Sequence, residues 1–291
     1  MKDKTGEITA VVNKIIPFSS VDGPGNRTAV FLQGCNLDCR YCHNPETRAR
    51  CISCGECVPA CPAGALQRAH AAGGGFRILW DREKCLGCDT CIRVCPHDAS
   101  PKVRVMTPSQ VMERIRRQIP FIRGISVSGG ECMLYPEFLT ELFTLARQEG
   151  LGTLIDSNGT ISFRDHPDLL RVSDGVMLDI KAFDNGDHER ITGAPNSRVL
   201  DNALYLGETG KLYEVRFVIA PHLYDGRKST EAAGRFLKDV YRDHPFRIKL
   251  IACRPMGVRK EYADFRSPSG EYLDGLRDML REMGYREIII I

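Results

Sequence analysis

Three groups of cysteines in this chain are spaced to hold metal. Cys35, Cys39 and Cys42 form CxxxCxxC. Cys51, Cys54, Cys57 and Cys61 form CxxCxxCxxxCP, and Cys85, Cys88, Cys91 and Cys95 repeat that spacing at a constant offset. Eleven of the 13 cysteines are thereby placed. Two closely spaced sets that each end in Cys-Pro match the bacterial two-cluster iron–sulfur pattern, in which the fourth cysteine ligates the other cluster. The expected sets are therefore Cys51, Cys54, Cys57 with Cys95, and Cys85, Cys88, Cys91 with Cys61. Fully ligated clusters can only pass or store electrons. Three thiolates, by contrast, leave one iron of a cubane open, and an open iron can bind and transform a ligand. Zinc is the competing reading, since it also takes CxxC pairs, and His43 could complete a four-ligand site with the first group.

Bulk composition bounds what else the chain can be. Its 291 residues are 43% hydrophobic, enough for a full core in one large domain or one domain with an insert. A formal charge of +3 without any basic run gives no argument for nucleic acid. The stretch Met1 to Gly6 is polar and charged, with no apolar signal core. No run of about 18 apolar residues suggests a membrane span. A cytoplasmic location is the expectation, and in that reducing compartment tightly spaced cysteines favour metal over disulfide.

These ligands need a scaffold. Short apolar runs, often β-branched, read as buried parallel strands over 28–32, 125–128, 153–156, 176–180, 213–219 and 247–252. Thr107-Pro108 opens a helix as N-cap and first residue, with Val111, Met112, Ile115 and Ile119 on one side. Pro136 opens another, carrying Phe138, Leu139, Leu142, Phe143 and Leu145, with Gly150 past its end. Further helices are expected over 201–206, 229–241 and 269–283, and a terminal strand over 287–291. Six strands with returning helices suggest a parallel sheet wound one way, an open partial barrel with a lateral mouth. A doubly wound sheet is the alternative. Between about Glu46 and Val105 the periodicity stops, and cysteine, glycine and proline take over. Residues 46–105 are expected to form an inserted module that needs its metal to hold together. Residues 1–45 and 106–291 would form the barrel around it.

The surroundings of the first cysteine group are more specific than the cysteines alone. Ile15-Ile16-Pro17-Phe18-Ser19-Ser20-Val21-Asp22-Gly23-Pro24-Gly25 leads to Arg27 and Phe31. Gly34-Cys35-Asn36-Leu37-Asp38-Cys39-Arg40-Tyr41-Cys42-His43-Asn44-Pro45 follows. Later come Ser128-Gly129-Gly130-Glu131, Asp156-Ser157-Asn158-Gly159 and Asp179-Ile180-Lys181. Over nearly the whole chain these motifs resemble the radical S-adenosylmethionine (SAM) superfamily, and within it the glycyl-radical-enzyme activases of the pyruvate formate-lyase activase kind. The insert resembles that of activases with two auxiliary clusters. The closing Arg254-Pro255-Met256-Gly257-Val258-Arg259 segment is similar to the YjjW branch.

That resemblance implies an α/β fold, a partial (β/α)6 barrel of radical SAM type with an inserted ferredoxin-like two-cluster domain. It implies SAM and three 4Fe–4S clusters as cofactors, one held by Cys35, Cys39 and Cys42 and open to SAM. The implied activity is that of an anaerobic oxidoreductase. An electron from flavodoxin or ferredoxin would cleave SAM to a 5′-deoxyadenosyl radical, which takes hydrogen from a glycine of a partner glycyl radical enzyme. Besides the three cysteines, Lys181 would be catalytic, its ammonium holding the methionine carboxylate by a charge-assisted bond of roughly 1.5–3 kcal/mol. The cofactor-binding set carried over is Tyr41, His43, Gly129, Gly130, Glu131, Asp156, Asp179, Ile180, Lys181 and Arg254. Gly129-Gly130 would let backbone approach the ligand. The two aspartates, at strand C-termini, would meet ribose or amine, with a monovalent cation nearby. Arg254 stands where better-known activases have a histidine, and an arginine there can stack on adenine. Asp22 would line the mouth that admits the partner's loop, or serve as a turn residue. Cys132 and Cys253 read as buried apolar residues.

Two rival functions stand beside this one. A radical SAM enzyme could act on a small molecule instead, using its extra clusters in the chemistry. An iron–sulfur electron carrier would need no catalysis, but it leaves Gly129-Gly130-Glu131 and Lys181 without purpose.

Overall fold

The computed structural model describes residues 6–71 and 74–291. Most of the polar stretch at the N-terminus, Met1 to Thr5, therefore lies outside the described residues.

A sheet of nine strands forms the frame. Six are parallel neighbours: β2 (Arg27–Leu32), β6 (Gly124–Gly129), β7 (Gly152–Ser157), β8 (Gly175–Asp179), β9 (Leu212–Ile219) and β10 (Arg247–Ala252). They lie side by side in chain order, so the sheet winds in one direction and the doubly wound alternative falls. β11 (Ile288–Ile290) adds a parallel edge beyond β10, as the terminal apolar run suggests. The other edge is antiparallel. β1 (Ala10–Ser19) pairs with β2, and β5 (Arg104–Met106) pairs with β1. Both extend the six-strand sheet read from sequence, and β5 includes Val105, where the irregular stretch was expected to end.

Helices α2 (Pro108–Arg116), α3 (Pro136–Gln148), α4 (Pro167–Val172), α5 (Asn185–Thr192), α6 (Ser197–Glu208), α7 (Gly226–Phe236), α8 (Lys238–Asp243) and α9 (Gly270–Glu282) return the chain between strands. Thr107 caps α2 with a full capping box, and Ser269 caps α9. The single helix expected over 229–241 is two, broken at Leu237. α4 and α5 are additional.

Side chains alternate between the two faces of the parallel strands, with an irregularity between β8 and β9. Ile125, Val127, Ile155, Val176, Leu178, Val215, Phe217, Ile248 and Leu250 join Phe138, Leu142, Leu206 and Leu276 in one buried core. Their neighbours Ser126, Asp156, Asp179, Glu214, Arg216 and Lys249 are outside that core, as period-2 side-chain alternation requires. The parallel strands thus have an apolar outer face under the helices and a charged inner face. Within the irregular stretch, β3 (Leu66–His70) and β4 (Phe76–Trp80) form an antiparallel hairpin, and Thr90–Arg93 a short helix, α1. Cys57, Leu66 and Cys91 form a small separate core there, with Trp80, Ile78 and Ile92 against it.

β2 and β6 end in an unusually close backbone contact. A Cβ on Gly129, whose φ is +126°, would lie 2.2 Å from the Leu32 carbonyl oxygen. A Cβ on Gly130 would lie 2.2 Å from that of Gly34. Gly130 N–H donates to Leu32 O (3.0 Å) and Glu131 N–H to Gly34 O (2.7 Å). Gly129→Ala should therefore cost about 3 kcal/mol or more, as expected for a strained backbone plus a steric clash. Denaturant unfolding checks it, and a loss below about 1 kcal/mol would show that the two strand ends can part freely.

Candidate functional site

The first cysteine group lies in the loop after β2. Two amides of this loop are tied to the C-terminal end of α5: Asp38 N–H donates to Thr192 O (2.8 Å) and Arg40 N–H to Ile191 O (3.0 Å). Cys39 is thus pinned on both sides. The three thiols are near enough to raise one another's pKa. Burial is the larger effect, lifting Cys35 to about 11 and Cys39 to about 12, and Cys42 also upward, while Lys181 works against it. Cys35 Sγ accepts from Leu37 N–H (3.4 Å) and from Asn158 Nδ2 (3.8 Å).

Lys181 lies two residues beyond the end of β8. Its Nζ is 2.6 Å from Asp179 Oδ2, with side-chain exposures of 13% and 20%. Burial opposes its charge, but Asp179 and the Cys39 and Cys42 sulfurs outweigh it and raise the Lys181 pKa. A fixed ammonium therefore stands beside the three thiols. Tyr41 supports it from behind, with its hydroxyl donating to Lys181 O (3.3 Å) and its ring buried among Ala182, Ile191, Ala220, Tyr224 and Cys253.

Alternation corrects one expectation. Ile180 points opposite to Asp179 and Lys181, fully buried in the outer core, with its N–H donating to Arg216 O (3.0 Å). Glu131 makes a set of contacts within the protein itself. Its carboxylate is buried and accepts from Met133 N (2.9 Å), Ser157 Oγ (2.9 Å) and Asn158 N (2.7 Å). It joins the Gly-Gly-Glu turn to the Asp-Ser-Asn-Gly turn, and burial pushes its pKa up to about 7. The Gly129-Gly130 backbone likewise approaches the cysteine loop rather than open space. Arg254 has an exposed side chain and meets the site through its backbone: its carbonyl oxygen lies 3.0 Å from His43 Nε2.

The inner face supplies charges that strand-spotting overlooked. Asp156 pairs with Arg216 (2.7 Å), which also holds Glu214 (2.6 Å), and Lys249 reaches Glu214 from β10 (3.1 Å). The alternation of charged with apolar residues in β9 and β10 was the available signal. Burial raises the Asp156 pKa, against Arg216, with Asp179 and Asp22 adding to the rise. Asp22 also accepts from Ser19 Oγ (2.5 Å), so it is a turn residue that still faces the carboxylates.

Further along, Cys51, Cys54, Cys57 and Cys95 line one hollow, and Cys61, Cys85, Cys88 and Cys91 line another. These are the exchanged sets that the spacing suggests. Among the described residues, no three His, Cys, Asp or Glu side chains converge tightly enough for a single metal ion. Cys132 and Cys253 are fully buried, as read from sequence.

The Radical SAM superfamily model matches residues 29–226, more than half of the chain. The chain belongs to the radical SAM superfamily. It is similar to the pyruvate formate-lyase-activating enzyme of Streptococcus mutans, 30% identical over 97% of this chain and 94% of that one. It is 31% identical to the choline trimethylamine-lyase activating enzyme of Oleidesulfovibrio alaskensis, covering 87% of this chain and 86% of that one. It is 29% identical to the indoleacetate decarboxylase activating enzyme of Tractidigestivibacter scatoligenes, over 99% and 100%. A solved domain of a pyruvate-formate lyase-activating enzyme from Bacteroides vulgatus shares the fold at TM-score 0.50 and 23% identity, covering 58% of this chain and 98% of that domain. SuiB of Streptococcus suis, solved with S-adenosylmethionine bound, shares it at TM-score 0.57 and 12% identity, covering 89% and 48%.

Superfamily membership makes this an enzyme that uses SAM and a 4Fe–4S cluster. The donor set fits: buried thiols that are costly to ionise alone are stabilised as thiolates by iron. Four charged side chains brace this radical SAM loop from outside. Arg48 bonds Asp38 (3.1 Å) and Asp98 (2.8 Å), and Arg259 bonds Asp38 (2.7 Å) and nears Asp98 (3.7 Å).

The α5 anchor carries a pH prediction. His188 is buried in α5, its Nδ1 on Ala194 O (2.7 Å) and its Nε2 without a partner among the described residues. Burial lowers its pKa, and Lys181 adds to the fall against the Ala194 bond and Glu189. Below about pH 6.5 the unfolded chain takes up a proton that the folded chain refuses, so stability falls with pH there. Thermal unfolding of His188→Asn should lose less stability than wild type between about pH 7 and 5.5. Equal losses would remove His188 from the account.

Proposed function

We propose that this radical SAM enzyme activates a glycyl radical enzyme. The observation that carries the reading is the half-buried Lys181–Asp179 pair beside three mutually close thiols. Relatives that align over nearly all of the chain and are named as activating enzymes support it.

In this reading Cys35, Cys39 and Cys42 hold three corners of the cluster, and Lys181 takes the carboxylate of SAM bound at the fourth. When bound, the cluster and SAM would together supply a one-electron reductive cleavage of the sulfonium C5′–S bond, with methionine leaving, and so the means to take a hydrogen atom from a glycine of the partner. The side chains around it need no acid–base role. Their work is to orient the cofactor and keep water out. Asp156 and Asp179 stand at strand ends on the inner face, suited to ribose or amine groups, and His43 and the Arg254 backbone close the far side. Residues 46–105 act as an inserted ferredoxin-like domain with two further 4Fe–4S clusters, in a partial barrel of 1–45 and 106–291. These clusters relay electrons from flavodoxin or ferredoxin.

Three measurements bear on this. Anaerobic protein reduced in the presence of SAM should form 5′-deoxyadenosine, and co-expression with the right partner should give a glycyl radical doublet in electron paramagnetic resonance. The nucleoside without any doublet across candidate partners would favour a small-molecule substrate. Lys181→Met should keep its iron and raise the SAM concentration needed by about 10- to 100-fold, the worth of one charge-assisted bond. Unchanged affinity would reject the assigned role. Cys88→Ala, with the first cluster intact, should lower radical yield with flavodoxin. An undiminished yield would reject the relay.

A further inference from the structure

Trp80 is the one tryptophan of the chain. It ends β4 opposite Leu66, and it borders two spaces. One is an open groove shared with Lys14, Arg82 and Lys102, and the other is the hollow ringed by Cys61, Cys85, Cys88 and Cys91. Its indole nitrogen is sealed from solvent and has no hydrogen-bond partner among the described residues. A buried donor left unpaired costs about 1–3 kcal/mol, so such groups are almost always satisfied by something. The ring has little freedom to turn away. Leu66, Cys57 and Cys91 pack beside it, and the Arg104 guanidinium lies 5.4 Å from its centroid.

We infer that the Trp80 indole N–H donates a hydrogen bond to a sulfur of the cluster held by Cys61, Cys85, Cys88 and Cys91. The inference rests on the proposal that this hollow holds a 4Fe–4S cluster. Hydrogen bonds to cluster sulfurs are one of the protein's levers on reduction potential. The bond favours the reduced, more negative state, so it raises the potential of this cluster. The repeat supplies no counterpart. The other hollow is lined by Ile52, Pro96, His97, Ala99 and Pro101 beside its cysteines, and no indole reaches it.

Because tryptophan occurs once, it can be changed without touching any other residue. Protein grown with indole-15N tryptophan and reduced anaerobically should show one 15N nucleus coupled to a cluster spin in pulsed paramagnetic resonance. A second sample carries benzothienylalanine in place of tryptophan, which keeps the shape and lacks the N–H. It should lose that coupling and lower the midpoint potential of one auxiliary cluster, with iron content and the other cluster unchanged. Full iron content with neither coupling nor potential shift would overturn the inference. Wild-type protein with iron for a single cluster would instead overturn the reading on which it rests, so the two failures are distinguishable. Trp80→Phe should shift the same potential in the same direction, and a shift in Phe but not in benzothienylalanine would assign the effect to packing and reject the hydrogen bond.

Discussion

The close approach of two backbones organises the reactive end of this molecule. β2 delivers Cys35 and β6 delivers Gly129, and the two strand ends meet with no room for a side chain between them. The amides of Gly130 and Glu131 bond the loop that leads into Cys35. Glu131 then reaches across to β7 and gathers Ser157 and Asn158, and Asn158 returns to Cys35 Sγ and Asn36. Three consecutive strand ends are thus stitched to the first thiol by hydrogen bonds that the protein interior keeps from water. A ligand-binding motif read from sequence turns out to be, first, a structural joint.

Beneath that joint the charged inner face must balance itself. Glu214 is fully buried and meets Arg216 and Lys249 directly, with Arg247 near it. Arg216 extends the series to Asp156, and Lys181 answers Asp179. Buried charges survive only when paired, because removing one partner leaves an ion stranded in a poor solvent. The loop carrying Asp22 lies against this face, with Lys249 donating to Val21 O (3.4 Å). The pairing fixes side chains before any ligand arrives, the preorganisation that radical chemistry needs to keep a reactive fragment where it forms.

Much of this was legible in the sequence, and the gaps have physical causes. The parallel strands were readable because one face of each is continuously aliphatic. The charged face was legible only at its rim, where Asp156 and Asp179 stand at strand ends, because Glu214, Arg216 and Lys249 are single charges set among aliphatic neighbours. β1 escaped notice since Asn13, Lys14 and Pro17 interrupt it, which an antiparallel strand toward a sheet edge tolerates. α5 was hidden by its polarity: Asn185, Asp187, Glu189 and Arg190 leave little apolar stripe. The hairpin of β3 and β4 lay inside a glycine-rich stretch. The cysteines needed only spacing to be found, whereas the true direction of Ile180 needed the strand's phase, which a single residue sets.

The four-charge brace outside the cysteine loop has its own consequence. Asp38, between Cys35 and Cys39, shares both of its arginines with Asp98, which follows the last cysteine of the repeat. The first cysteine loop and the end of the second repeat are therefore yoked through one shared set of charges. Neither carboxylate can lose an arginine without leaving the other arginine to answer two negative charges alone. Position at one cysteine loop is thus set partly by a residue some sixty places further along the chain.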